Sequence, residues 1–348
     1  MKRTTLGRSG IDVSALCLGT MTWGTQTPPE DAHEQIDACL GHGIDFLDTA
    51  EMYPVNPVRK ETVGRTEAIV GDWIRRTGRR DELVIATKCS GENGSFVREG
   101  RMVDGDVIRE ALDGSLRRLR TDRVDLYQLH WPNRGSYHFR QYWDYDPSGQ
   151  PPKAEVDDNI ADCLEALDEA KKAGKIRAWG LSNESAWGTT RWLAQAEAGR
   201  GPRVEAIQNE YSLMDRRYDT DLAELGHQEG VTLLAFSPLA CGFLTGKYAG
   251  GAKPEGSRAA INDGLGGRFT DSALAAAAAY VALAREIGME PVHLALRFCL
   301  TRPFPCIPIF GATTIEQLRT ILDCSDDPLP NEVMDRIDAV HRAHPMPY

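Results

Sequence analysis

Residues 44–53, IDFLDTAEMY, open with the apolar, β-prone side chains Ile44, Phe46 and Leu47 and run directly into Asp48, Glu51 and Tyr53. A buried strand that ends in ionisable groups meets either solvent or a substrate. The same transition recurs along the chain. Short apolar runs stand at ALCLGT (15–20), IDFLDT (44–49), LVIATK (83–88) and VDLYQLH (124–130), then at IRAWGLSN (176–183), EAIQN (205–209), TLLAFS (232–237) and CIPIFGA (306–312). Each reads as a strand by its β-branched and aromatic content.

Between the runs lie helical patterns. In DVIREALDGSLRRL (106–119), Val107, Ile108, Ala111, Leu112, Ser115, Leu116 and Leu119 fall on one face at helical spacing. NIADCLEALDEAKKAG (159–174) repeats the pattern, with Gly174 as its stop signal. Eight strands, each followed by a helix, predict an α/β fold with a parallel sheet, and eight units in 348 residues predict a closed (β/α)8 TIM barrel. The competing doubly wound sheet needs a GxGxxG turn after its first strand, which LGTMTWG (18–24) does not supply. TTLGRSGIDVS (4–14) reads as an N-terminal β-hairpin able to close the bottom of the barrel.

Two insertions interrupt the alternation: the aromatic, proline-rich 133–156 after strand four and the glycine-dense 240–269 after strand seven. Loops this long carry function or are disordered. With no internal repeat and no linker-like shift in composition, 1–348 is expected to be a single domain.

Hydrophobic residues make up 41% and charged residues 26%, a globular composition. The net charge of −11 argues against nucleic-acid or anionic-membrane binding, although local Lys and Arg residues can still hold a small anion. No apolar segment stands behind the basic N-terminus as in a signal peptide, and the Ala-rich run 273–284 is shorter than the roughly 20 residues a membrane span requires. Eight cysteines are scattered singly, without CxxC or metal-ligand spacing, and are expected to be reduced thiols in a cytoplasmic protein with no structural metal.

In such a barrel the reactive face lies at the C-terminal ends of the strands. There the sequence places Asp48 with Tyr53 beyond it, then Lys88, His130, Ser182-Asn183, Gln208-Asn209, Ser237 and Gly311-Ala312-Thr313. Singly, each has a dull explanation: a solvated strand end, a satisfied core histidine, a packed tyrosine. Four ionisable types at neighbouring strand ends favour a shared site. A tyrosine hydroxyl titrates near 10, too high for easy proton exchange at neutrality. A lysine ammonium about 4 Å away favours the phenolate by about 4 kcal/mol at an effective dielectric near 20, before desolvation. Asp48 keeps that lysine charged, and His130 can orient a substrate oxygen. This is an acid/base centre for an oxygen that changes between carbonyl and hydroxyl. It lacks a hydride source, for which a nicotinamide cofactor is the natural complement.

The segments GTMTWG (19–24), LDTAEMYP (47–54), ATK (86–88), DLYQLHWP (125–132), GKIRAWGLSN (174–183), IQNEYSLM (207–214), SPLACGFLTGKY (237–248) and FGATTIEQL (310–318) together resemble the aldo-keto reductase family over nearly the whole chain. The resemblance is to its Tas-like bacterial branch, with similarity to the potassium-channel β-subunits that share the fold. It implies Tyr53 as general acid, Lys88 as its pKa-lowering partner, Asp48 as the lysine's counter-ion and His130 as the orienting group. It implies NADPH (NADP+) as cofactor, with NADH as the alternative. Thr20, Met21 and Asp48 would hold the nicotinamide ribose, Ser182, Asn183 and Gln208 the carboxamide, and Tyr211 would stack on the ring. Ser237, Pro238, Leu239, Gly242 and Lys247 would take the pyrophosphate, and Arg258, Gly311, Thr313 and Gln317 the adenosine end. The segment 240–269 would then be a clamp over the cofactor.

This sequence departs from the family at Thr320 and Ile321, where many relatives have an acidic residue and an asparagine contacting adenine. It departs again at Thr314, where one branch has a basic residue. Glu51 is outside the family's set and is expected in a solvated loop. Tyr137, Phe139, Tyr142, Trp143 and Tyr145 are expected either to wall the catalytic mouth or to pack the insertion onto the barrel. The leading expectation is a reductase of small-molecule aldehydes or ketones, with a homo-oligomer left open. Against it stand a nucleotide-binding regulatory module like the channel subunits and, further off, a metal-dependent hydrolase.

Overall fold

The computed structural model describes residues 1–92 and 95–348. An antiparallel hairpin, β1 (Arg3–Leu6) and β2 (Ile11–Ser14), precedes eight parallel strands. These are β3 (Cys17–Gly19), β4 (Phe46–Asp48), β5 (Val84–Cys89), β6 (Val124–Leu129), β7 (Ile176–Ser182), β8 (Ala206–Glu210), β9 (Thr232–Phe236) and β10 (Cys306–Phe310). They close into a barrel in sequence order, with β10 pairing both β9 and β3. Helices bridge successive strands, among them Arg65–Thr77, Gly105–Leu119, Lys153–Lys172 and Ala186–Glu197. The (β/α)8 expectation, with its hairpin and two long loops, holds.

Two apolar layers follow from strand alternation, since successive side chains in a strand point to opposite faces. The larger packs the strands' outward faces against the helices and includes Leu47, Ile85, Tyr127, Leu129, Trp179 and Ile207. The smaller fills the lower barrel with Cys17, Phe46, Val84, Ala86, Leu126, Ala178, Ala206, Leu234, Ile307 and Ile309. Leu6, Ile11 and Val13 of the hairpin join this inner layer, so the hairpin plugs the bottom. Two residues further along the same inward faces stand Asp48 after Phe46, Lys88 after Ala86, Gln128 after Leu126 and Gln208 after Ala206. The barrel thus has an apolar floor and a polar ceiling.

The helix after β6 starts at Lys153, not at Asn159 where its pattern begins. Its first turns are mostly polar, and only Val156 and Ile160 bury there, which hid them from an apolar-periodicity reading. The insertion 240–269 is packed: Phe243, Leu244, Tyr248 and Leu265 are buried, and the rings of Phe243, Tyr248 and Phe269 contact one another. The Ala-rich run lies in helix Asp271–Glu286, capped by the Thr270 side chain and packed into the outer layer through Ala273, Ala276, Tyr280 and Ala284. Among the described residues no single helix is long and apolar enough to cross a membrane.

Candidate active site

The register of the barrel brings the four ionisable residues to one point. Gly19 pairs with Asp48, Asp48 with Ala86, and Lys88 with Gln128, so Asp48 and Lys88 come from adjacent strand ends. The Lys88 ammonium lies 2.6 Å from Asp48 Oδ2 and donates to the Thr49 carbonyl at 2.8 Å. Its third contact is the Tyr53 hydroxyl at 3.5 Å, and the ammonium stands 4.9 Å from the Tyr53 ring centroid. His130, one residue beyond β6, meets the Tyr53 ring edge-on at 5.9 Å between centroids. Lys88 is fully buried, while Tyr53 and His130 are 9% and 8% exposed. The lysine and aspartate are sealed below, and the two proton-bearing rings face the mouth.

Burial drives the electrostatics. For Lys88, desolvation would favour loss of the proton, but Asp48 and then Tyr53 outweigh it, and its pKa is raised. Burial raises the Tyr53 pKa; Lys88 opposes this through charge and hydrogen bond without reversing it, and Arg258 adds a smaller downward pull. Lys88 thus acts on Tyr53 in the pKa-lowering direction, while burial sets the net shift. The ammonium pulls the right way, but the phenol is too deeply desolvated for a net decrease. Burial and then the Lys88 charge hold His130 well below its ordinary value, so it is a neutral imidazole at pH 7. Its Nδ1 is buried without a hydrogen-bond partner among the described residues.

Sequence reasoning missed Gln128. Its Nε2 donates to Asp48 Oδ1 at 3.2 Å, and Gln208 Nε2 donates to the same oxygen at 2.8 Å while contacting Gln128 Oε1. One carboxylate oxygen holds the lysine and the other is fixed by two amides. The signal was present: Gln128 precedes His130 by two and so shares its inward face.

Glu51 was also misjudged. Instead of lying in a solvated loop it is 2% exposed, ion-paired with Arg98 and accepting the backbone N–H of Ser90. Arg98 also donates to the Ser90 carbonyl at 2.6 Å. This pair ties the end of β5, just past Lys88, to the segment that leads from Asp48 to Tyr53.

Thr20 Oγ1 donates to the Asp48 carbonyl at 2.9 Å, and the Met21 carbonyl accepts from Val55. Ser182 Oγ donates to the Gln208 carbonyl at 2.9 Å. Asn183, in left-handed backbone at φ 53°, donates through Nδ2 to the His130 carbonyl. Its Oδ1 is buried with no partner among the described residues. An orphaned acceptor beside Ser182 and Gln208 fits the N–H of a nicotinamide carboxamide. Tyr211 is fully buried, stacked on Phe298 and hydrogen-bonded to Asp219.

Beyond β9, Ser237, Ala240, Cys241 and Gly242 all have positive φ, with Pro238 and Leu239 inside the same turn. Gly242 takes φ 101°, a conformation that L side chains rarely adopt, and a Cβ there would sit 2.6 Å from Lys247 Cε. Lys247 has its pKa lowered by burial and then by Arg258, whose Nη1 is 3.5 Å from Cys241 Sγ. Two cations against a glycine turn, with no carboxylate hydrogen-bonded to either among the described residues, fit a pyrophosphate. At the far end Gly311 is exposed, and Gln317 Oε1 accepts from Thr313 N and Oγ1 at 3.1 Å each. Ile321 is buried in the outer core. Among the described residues no group of three or more His, Cys, Asp or Glu side chains is positioned to hold a metal ion.

The aromatic insertion divides. Tyr142 donates to the Tyr348 carbonyl and lies under the Arg217 guanidinium at 4.0 Å, whereas Trp143 is 59% exposed. His138, buried, bonds the Glu184 carbonyl at 3.1 Å.

Comparison with known proteins agrees with this geometry. Residues 15–342 match the model of the Aldo/keto reductase family. The chain is 44% identical over 346 residues to Protein tas of Escherichia coli, covering 97% of each. It is 32% identical to the uncharacterized oxidoreductase YrpG of Bacillus subtilis, over 98% of this chain and 96% of that one. It is 31% identical to a probable voltage-gated potassium channel subunit beta of Arabidopsis thaliana, over 99% and 98%.

Proposed function

This chain belongs to the aldo/keto reductase family, and from that premise we propose that it is an NADPH-dependent oxidoreductase reducing small aldehydes or ketones to alcohols. The observation that carries the reading is the contact of Tyr53 with a buried ammonium whose charge Asp48 secures. The family binds nicotinamide cofactors, and the orphaned Asn183 acceptor and the Gly242–Lys247 turn fit one. When bound, such a cofactor supplies the hydride.

The protein's own residues manage the proton. Tyr53, with its raised pKa, keeps its proton at neutral pH and is a donor to a carbonyl oxygen in the mouth. As the proton leaves, negative charge grows on the phenol oxygen beside Lys88, which stabilises it in a site shielded from water. Neutral His130 donates a hydrogen bond to the same substrate oxygen without competing for the proton. Asp48, held by Gln128 and Gln208, stops Lys88 from discharging into Tyr53. NADPH is taken over NADH because Arg258, Thr313 and Gln317 can serve a phosphate. A cytoplasmic setting suits the eight free thiols.

The test is consumption of NADPH with a panel of small aldehydes. Tyr53→Phe is expected to lower kcat by at least about 100-fold, the usual scale of a lost general acid, with NADPH affinity intact and tighter than that for NADH. Undiminished turnover in Tyr53→Phe would falsify the assignment. The Arabidopsis relative motivates a second reading, a cofactor-binding regulatory subunit, and tight NADPH binding without turnover of any aldehyde would favour it.

A further inference from the structure

One cation at the mouth has no role in the chemistry above. Of the three cations in the insertion 133–156, Arg134 is paired with buried Glu184 and Lys153 lies 3.6 Å from Asp157. Arg140 makes no hydrogen bond or ion pair among the described residues, although it is half-buried. It and Phe139 are adjacent non-glycine residues in left-handed backbone, at φ 65° and 57°. That conformation is costly for L-residues and persists where surrounding structure enforces it. The enforcement is visible two residues on, where Tyr142 is held by Tyr348 and Arg217.

The guanidinium reaches across to the other insertion. Its Nη2 would be 2.9 Å from a Cβ on Gly266, and its Nε 3.3 Å from one on Gly267, so it lies on bare backbone there. Next to it is Arg268, whose guanidinium grips Glu210 at 3.0 Å and is thereby occupied. Glu210 follows Gln208 by two residues on the same inward face of β8, about 7 Å further toward the mouth. A line of residues therefore runs from Asp48, bonded by Gln208, along β8 to Glu210 and its partner Arg268, with Arg140 over the backbone of Gly266 and Gly267. Arg268 is bonded to Glu210 and Arg140 is not, which leaves a local excess of positive charge in a protein of net charge −11. Burial and the Arg268 charge lower the Arg140 pKa, the behaviour of a cation lacking its counter-ion.

We infer that Arg140 receives an oxyanion of the substrate, so that the site selects aldehydes or ketones carrying a carboxylate or similar group away from the reacting carbonyl. This deepens the reductase reading and rests on it. A guanidinium fork matches a carboxylate, and no other cation of this insertion is free to do so.

The chemistry would equally suit a cofactor phosphate, so the test has two arms. The first compares kcat/KM for 4-carboxybenzaldehyde and benzaldehyde in wild type and R140M, and measures NADPH affinity in both. The expected result is a wild-type preference for the acid aldehyde that falls about tenfold or more in R140M and partly returns in R140K, with NADPH affinity unmoved. An unchanged preference overturns the inference, and so does weakened NADPH binding, which would assign the guanidinium to the cofactor. The second arm titrates benzene-1,4-dicarboxylate into each protein in the presence of NADP+. Binding seen in wild type and lost in R140M supports the anion site even where no aldehyde turns over, which separates failure of this site from failure of the reductase reading.

Discussion

Glu51 and Arg98 show how burial changes a residue's meaning. On a sequence line Glu51 is an acidic residue in a polar turn; in the fold both side chains of the pair are under a tenth exposed. Breaking a buried pair leaves an uncompensated charge, which costs about 3–5 kcal/mol. Arg98→Met is therefore expected to lose stability on that scale in urea unfolding. Because the pair anchors the residues after Lys88 to the segment before Tyr53, the variant should also lose kcat more than cofactor affinity. A kcat equal to wild type would leave the pair a purely structural role. Asp48, Tyr53, Lys88 and His130 were legible because each stands at or just past a strand end. Gln128 was not, because a neutral amide inside an apolar run carries no obvious chemistry until its neighbour across the barrel is known.

At the scale of elements, the insertion after β6 is fastened to the barrel through His138. Its pKa is lowered from 6.5 to about 4, chiefly by burial, which outweighs the bond to the Glu184 carbonyl. The folded state thus binds the proton less readily than the unfolded chain. Stability is complete above about pH 6.5, falls as the pH drops toward 4, and has no further dependence on this group below that. The window of about 2.5 pH units corresponds to about 3 kcal/mol. Urea unfolding of wild type and His138→Gln across pH 4–7 should show a shallower acid loss in the variant; parallel curves would remove His138 from the acid sensitivity. The insertion's length and aromatic content were visible in sequence. That Tyr142 packs while Trp143 stays exposed depends on Arg217 and Tyr348, far away in the chain.

For the whole molecule, the hairpin and the barrel are one packing problem. Leu6, fully buried, belongs to the inner layer that also holds Ala206 and Ile307. Leu6→Ala opens a cavity in the floor and is expected to cost about 2–5 kcal/mol in denaturant unfolding. The polar ceiling lies a layer away on the other side of that floor, so KM for cofactor and aldehyde should stay near wild type. A stability change below about 0.5 kcal/mol would mean that the hairpin does not plug the barrel.

The order of strands and helices, the closed parallel barrel and the positions of the four ionisable residues at strand ends were determined by the sequence alone. Hydrophobic periodicity and strand alternation are local properties, written into runs of five to fifteen residues. Only the tertiary structure decided which groups are desolvated and which find partners. Burial keeps Tyr53 above its ordinary pKa against the pull of Lys88, Glu51 is buried against Arg98, and Arg140 makes no ion pair among the described residues. Desolvation and pairing are set by atoms that meet across tens to hundreds of residues, and no local pattern encodes those meetings.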